Sequence, residues 1–258
     1  MSLPDCLMLA ALCASTPLAC SQIVRVLHFS DSKPFQMGKV TSRRIVQPDT
    51  GAKLLTLNYS FSQPGSEFSQ HVHDYSDDTI LILQGKADLR QGDTRTAFHA
   101  GQCAFVPAGQ IHGTITTAPD TIMISFQVPP DLVLYTGVRD SSRPGAAPPK
   151  GVITPGAVKF IDFSNQNSVF VSPKMGAKRA TAAYRQLGLG DSLHMSLGQN
   201  SEGLVFVWKG SIRARAGQQD LMVNEKDTLF LSGRVQLDVS NPRDESAILI
   251  QIETPARE

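Results

Sequence analysis

Turn glycines that recur at one fixed offset constrain this chain more than any other feature. Gly65, Gly85 and Gly92 reappear 125 residues later as Gly190, Gly210 and Gly217, and Phe105 reappears at the same offset as Phe230. In that register Leu81-Ile82-Leu83-Gln84-Gly85 lies over Phe206-Val207-Trp208-Lys209-Gly210. Glycine adopts positive φ at little cost, so glycines repeated in one register mark the same corners built twice. The chain therefore reads as an internal duplication.

The repeated unit is a β unit. Residues 24–28, 44–47, 53–61, 68–73, 79–89, 94–98, 104–106, 111–116 and 121–128 are β-branched or alternating, with Gly, Pro, Asn and Asp between them. No stretch after residue 23 carries a long helical period of apolar residues. Many short, evenly spaced strands indicate a sandwich or barrel. Between the halves, Pro129, Pro130, Pro144, Pro148, Pro149 and Pro155 fall among Gly, Ser and Asp, a composition expected of a stiff connector. The expected layout is an N-terminal extension (1–23), a first barrel (24–130), a proline-rich linker (131–157) and a second barrel (158–258).

Composition narrows the function classes. A net charge of +1, with Lys and Arg scattered, provides no field for nucleic acid or an anionic membrane. Three of the four cysteines, Cys6, Cys13 and Cys20, crowd into the first twenty residues and leave only Cys103 in the body of the chain. That pattern argues against a disulfide framework and fits a reducing compartment. The apolar run 7–18 has the look of an export signal, but Met1 to Cys6 contains Asp5 and no Lys or Arg. A cytoplasmic protein is expected, with export as the alternative if residues 1–20 act as a signal.

The chemistry concentrates in the first half. His71 and His73 are two apart in a strand, so both project from one face. Asp78 opens the next strand, and His112 comes from a strand able to lie opposite. Three neutral imidazoles and a carboxylate suit one borderline divalent metal, Fe, Mn, Ni, Cu or Zn, with positions left open for substrate. Asp77 is a rival for the acidic ligand, though strand phase and the spacing to Gly85 favour Asp78. Glu67 and Ser69 share the inward phase of His71, which makes Glu67 a candidate general base. Tyr75 is a second candidate, as a donor to a substrate oxygen. Ile80, Ile82 and Phe105 are expected to make the pocket largely apolar, with Gln84, Thr114 and Thr116 on the same faces. His28 and His99 read as surface or supporting residues.

Gly65…His71-Val72-His73…Asp78…Gly85 and Gly101…Pro107-Ala108-Gly109…His112 resemble the two motifs of the cupin superfamily. The resemblance covers residues ~40–128 and, by repetition, ~165–254. It implies two double-stranded β-helix (jelly-roll) barrels, the first holding a metal on the matching His, His, acid and His. The family usually has Glu where this chain has Asp78, one methylene shorter. In the second repeat the ligand positions become Ser196, Gly198, Gly203 and Leu237, so that barrel is expected to hold no equivalent metal. His194 falls on the expected inward phase and reads as a core or pocket residue. The second barrel is expected to be a structural partner that forms a homodimer.

The resulting expectation is a metal enzyme acting on a small oxygen-chelating molecule, with dioxygenase chemistry first. A Lewis-acid lyase, isomerase or decarboxylase is the alternative, and a non-catalytic binding module is a third reading.

Overall fold

The computed structural model describes residues 22–164 and 167–256. Cys6, Cys13, Cys20 and the signal-like run lie outside the described residues. Within them the only helices are short 3-10 turns, and every strand pairing within the sheets is antiparallel. No helix of the described residues is long and apolar enough to cross a membrane.

Four sheets make two barrels. In the first, a seven-stranded sheet centred on Asp77–Gln84 and Thr121–Val128 faces a four-stranded sheet containing Glu67–His71 and His112–Thr116. In the second, a six-stranded sheet centred on Glu202–Lys209 and Ala247–Thr254 faces a four-stranded sheet containing Ser192–Leu197 and Val235–Ser240. The duplication and the cupin-like jelly roll read from the sequence are both present.

Strand alternation distributes the apolar residues into three cores. Ile80, Ile82, Ala104 and Val106 point into the first barrel, while Leu81, Cys103 and Phe105 on the same strands point out of it. The outward set packs against Leu204, Phe206, Phe230, Ile250 and Ile252 of the second half, so the larger sheets lie back to back. The sequence reading places Phe105 in the pocket. It instead belongs to this shared core, because it pairs with Thr79, one residue out of phase with Asp78.

The halves also exchange edge strands. Ile23–Leu27 pairs with Thr228–Ser232 of the second barrel, and Lys159–Asp162 pairs with Gln102–Val106 of the first. Each swap covers backbone donors and acceptors that an open edge would leave unpaired. Val24 accordingly packs inside the second barrel rather than the first. The run 79–89 is broken at Gly85, where φ is +83° and an added Cβ would lie 2.3 Å from Thr121 Oγ1.

The proline-rich segment runs across the first barrel. Asp131 caps the 3-10 turn Leu132–Thr136 through Val133 N. Tyr135 packs edge-on against Phe35, and the Ser141 hydroxyl donates to Gln70 O. Further along, Val152 exchanges backbone hydrogen bonds with Gly109 and Ile111.

Candidate metal centre

A bulge sets the geometry of the centre. His112 pairs with His71, but Thr114 pairs with Phe68, so the segment between them holds one more residue on the Glu67–His71 strand. Opposite the extra residue stands Gly113, where an added Cβ would fall 2.7 Å from Phe68 O and 2.9 Å from Gln70 N. Gly113→Ala is expected to push the bulge outward and lower stability by about 1–3 kcal/mol, the ordinary cost of overpacking. Urea denaturation measures it, and an unchanged midpoint would mean that the bulge is not held by this contact.

The bulge inverts the strand phase before His71. Phe68 rather than Glu67 faces the barrel, with its ring 5.4 Å from that of His71. Glu67 ion-pairs with Arg90 at the surface, and the Ser69 hydroxyl donates to Asp140 Oδ1 at 2.7 Å. Tyr75 is 80% exposed, in the turn after His73. Neither Glu67 nor Tyr75 lines the cavity beside the histidines. Strand phase places Glu67 there only if the strand alternates without interruption, and the turn that carries Tyr75 turns its side chain to the surface.

His71, His73, Asp78 and His112 do converge. All four are buried, and one ligand atom from each lies within 4.8 Å of the others. His71 Nε2 is 3.1 Å from His73 Nε2, and Asp78 Oδ2 is 3.3 Å from His112 Nε2 and 3.5 Å from His73 Nε2. The rival, Asp77, accepts from Ala108 N at 3.0 Å and ion-pairs with Arg179 at 2.6 Å, so it is committed elsewhere.

Each imidazole is oriented by its other nitrogen. His71 Nδ1 donates to Ser69 O at 2.9 Å, and His112 Nδ1 donates to Gln110 O at 3.0 Å. His73 Nδ1 donates to Asp131 Oδ2 at 2.7 Å. These bonds fix the tautomer that presents an Nε2 lone pair inward, the orientation seen where histidines hold metals. Asp131 also ion-pairs with Arg139 Nε at 2.6 Å.

Electrostatics separates the members. Burial, followed by the neighbouring His112 and His73, holds His71 well below the usual imidazole range. Burial works against charge on His73 too, but its hydrogen bonds to Asp131 and Asp78 prevail and raise it. Burial opposes the Asp78 carboxylate, and His112 and His73 outweigh that and lower it. Asp78 Oδ1 is buried without a hydrogen-bond partner. Converging lone pairs and an orphaned carboxylate oxygen in a buried site fit a borderline divalent cation.

The cluster opens on a cavity of about 30 Å³, room for a few heavy atoms. Phe35, Phe68, Ile80, Met123 and Ile124 give it apolar walls, and Asn58, Gln127, Thr114 and three serines give it polar ones. Ile82 lies deeper in the core, Gln84 is exposed, and Thr116 is hydrogen-bonded to Ser62.

Residues 60–126 match the family described as the cupin domain. That match falls within the first barrel and spans both histidine motifs. A comparison with curated proteins finds no match. Among solved structures, Bacillus subtilis oxalate decarboxylase with Mn(II) centres is similar at a TM-score of 0.70 and 12% identity, covering 90% of this chain and 78% of that one. The same enzyme at pH 4.6 gives a TM-score of 0.66 at 13% identity, covering 88% of this chain and 75% of that one. A structure of oxalate decarboxylase addressing its substrate binding mode gives 0.68 at 12%, covering 90% and 77%. At this identity the likeness is one of fold.

The second cupin-like barrel is filled where the first is open. Met195 pairs with Leu237 at the place of the His71–His112 pair, without a bulge, and both are buried with Leu197. At Gly203, the counterpart of Asp78, an added Cβ would meet Leu197 at 3.2 Å. His194 lies between the inward Leu193 and Met195 and so points outward, exposed and bonded to Asp238 at 2.8 Å and Gln236 at 2.9 Å. His28 pairs with Asp227 at 3.1 Å, and His99 lies at the surface.

Asp131, Asn58 and Gln127 have no place in the sequence-derived site. Asp131 had a signal, since a Pro-Pro-Asp run before Leu-Val-Leu is a helical-turn cap. Asn58 and Gln127 lie on the inward phase of two strands whose apolar residues mostly take the outward phase, and they pair across one sheet with Ser125 and Thr56.

Proposed function

We propose that this protein is a metal-dependent cupin enzyme acting on a small organic molecule that chelates through oxygen, with dioxygenase-type oxidation as its reaction. The observation carrying the proposal is the buried His71, His73, Asp78 and His112 cluster with its face open to a small cavity. Bound there, a divalent transition metal supplies Lewis acidity and open coordination positions. The protein's part is to hold three neutral imidazoles in register, to exclude water with Phe35, Phe68 and Met123, and to offer amide and hydroxyl groups to substrate oxygens.

A Lewis-acid lyase or decarboxylase is the second reading, favoured by the shared fold with oxalate decarboxylase. That chemistry needs a proton delivered to a carbanion. Apart from the clustered His71, Asp78 and His112, the cavity lining carries no titratable side chain, only amides, hydroxyls and apolar groups. This absence of a proton donor supports oxidation over proton transfer.

Elemental analysis combined with an oxygen-electrode screen of diketones and hydroxy acids tests the choice. Stoichiometric iron or copper with substrate-dependent oxygen uptake is expected. Turnover indifferent to oxygen moves the assignment to the lyase, and protein purified without stoichiometric metal sinks both.

A further inference from the structure

We propose that the cavity selects a singly charged oxygen chelator, with Asn58 holding the ligand oxygen farther from the metal, and that it rejects dianions. The inference rests on the metal reading above and specifies its substrate class.

The first support is charge balance. Among the residues lining the cavity, Asp78 carries the only formal charge once the histidines are neutral ligands. A divalent ion with one carboxylate leaves a single positive charge in a buried site. A monoanion such as an enolate or a hydroxy monocarboxylate cancels that charge, whereas a dianion leaves a net negative charge with no counter-ion, a state that burial penalises. The nearby cations stand outside the cavity. Arg44 lies over the ring of Tyr135, Arg139 pairs with Asp131 and Asp74, and Arg90 pairs with Glu67. None of the three lines the cavity.

The second support is an unused donor. Asn58 is 3% exposed, and its Oδ1 accepts from the Tyr135 hydroxyl at 3.1 Å. Burial pushes Tyr135 up to about 12, so the phenol stays a neutral donor. With Oδ1 engaged, Nδ2 is left buried without a partner in a residue that lines the cavity. A buried amide hydrogen without an acceptor is costly, and a ligand oxygen would satisfy it. A neutral donor can serve a monoanion, but it adds no charge with which to compensate a second carboxylate.

The test is calorimetric binding of glycolate and oxalate to the metal-loaded full chain at neutral pH, with metal content measured on the same samples. Glycolate is expected to bind at least about tenfold more tightly than oxalate. Asn58→Ala is expected to weaken glycolate by about tenfold, and Asn58→Asp, which adds a negative charge, to abolish it, both with metal content unchanged. Tyr135→Phe, which leaves Asn58 in place but unanchored, is expected to fall between wild type and Asn58→Ala and serves if the Asn58 variants do not fold. Oxalate binding as tightly as glycolate overturns the inference, as does glycolate affinity indifferent to both positions. Metal-free protein would instead overturn the reading on which it rests.

Discussion

Replacing His71 with alanine is expected to strip the protein of its metal while leaving it folded. Apparent metal-binding free energies of about 10–16 kcal/mol, shared among four ligands, come to roughly 2.5–4 kcal/mol each, or about two to three decades of affinity. The fold should tolerate the loss because the His71 imidazole meets His73 and His112 in a buried cluster that disfavours its charge. In the wild type, a chelator should lower the melting temperature by about 5–10 °C, since a ligand held at a hundred times its Kd stabilises by about 2.7 kcal/mol. In His71→Ala that shift should vanish. The pH dependence has a definite sign. Hydrogen bonds to Asp131 and Asp78 raise His73, so a proton competes with the metal for its Nε2 to higher pH than on a free imidazole. Affinity therefore climbs as pH rises through the imidazole range, by about tenfold per unit for each proton displaced, and falls on acidification. Mass spectrometry of dialysed protein reads the metal directly, and a His71→Ala variant that keeps its full complement would remove the cluster from consideration.

How much of this site was legible in the sequence follows from how local its determinants are. His71 and His73 could be paired because the two-residue period of a strand is a local property, and Asp78 could be preferred to Asp77 for the same reason. The positions next to them depart from that period for a non-local reason. The bulge exists because Gly113, on the opposing strand, allows the backbone of Phe68 and Gln70 to approach. Nothing within the strand itself announces it. One extra residue moved Glu67 and Ser69 out of the barrel and brought Phe68 in. His194 takes an inward reading only from Ser69, its counterpart 125 residues earlier, and both in fact face away from their barrels. The edge-strand exchange was equally hidden, because Ile23 and Ser232 pair across nearly the full length of the chain. The duplication, by contrast, was plain, because turn glycines record backbone conformation rather than contacts.

The proline-rich segment supplies the second large expected effect. By composition it is a connector, yet its first residue after the prolines, Asp131, holds His73 Nδ1 at 2.7 Å. A carboxylate behind a histidine ligand fixes the ring, increases its basicity and typically contributes about ten- to a hundredfold in metal affinity. Asp131→Asn should lose that factor, because an amide has no charge and offers only one oxygen to the neighbours Asp131 now serves. Those are His73, Arg139 and Val133 N. The variant also leaves Arg139 without its buried partner, so some stability should be lost independently of metal. Arg139→Ala separates the two contributions, since it removes the ion pair but keeps the carboxylate on His73. A purely structural role for Asp131 would make the two variants bind metal alike. Positioning of His73 requires Asp131→Asn to be at least about tenfold weaker and its affinity to depend differently on pH, because the carboxylate is among the groups that raise His73. Titration of each metal-free variant with a competing chelator across the imidazole range decides it. On that outcome depends whether the strap between the barrels serves the metal centre directly or merely lies beside it.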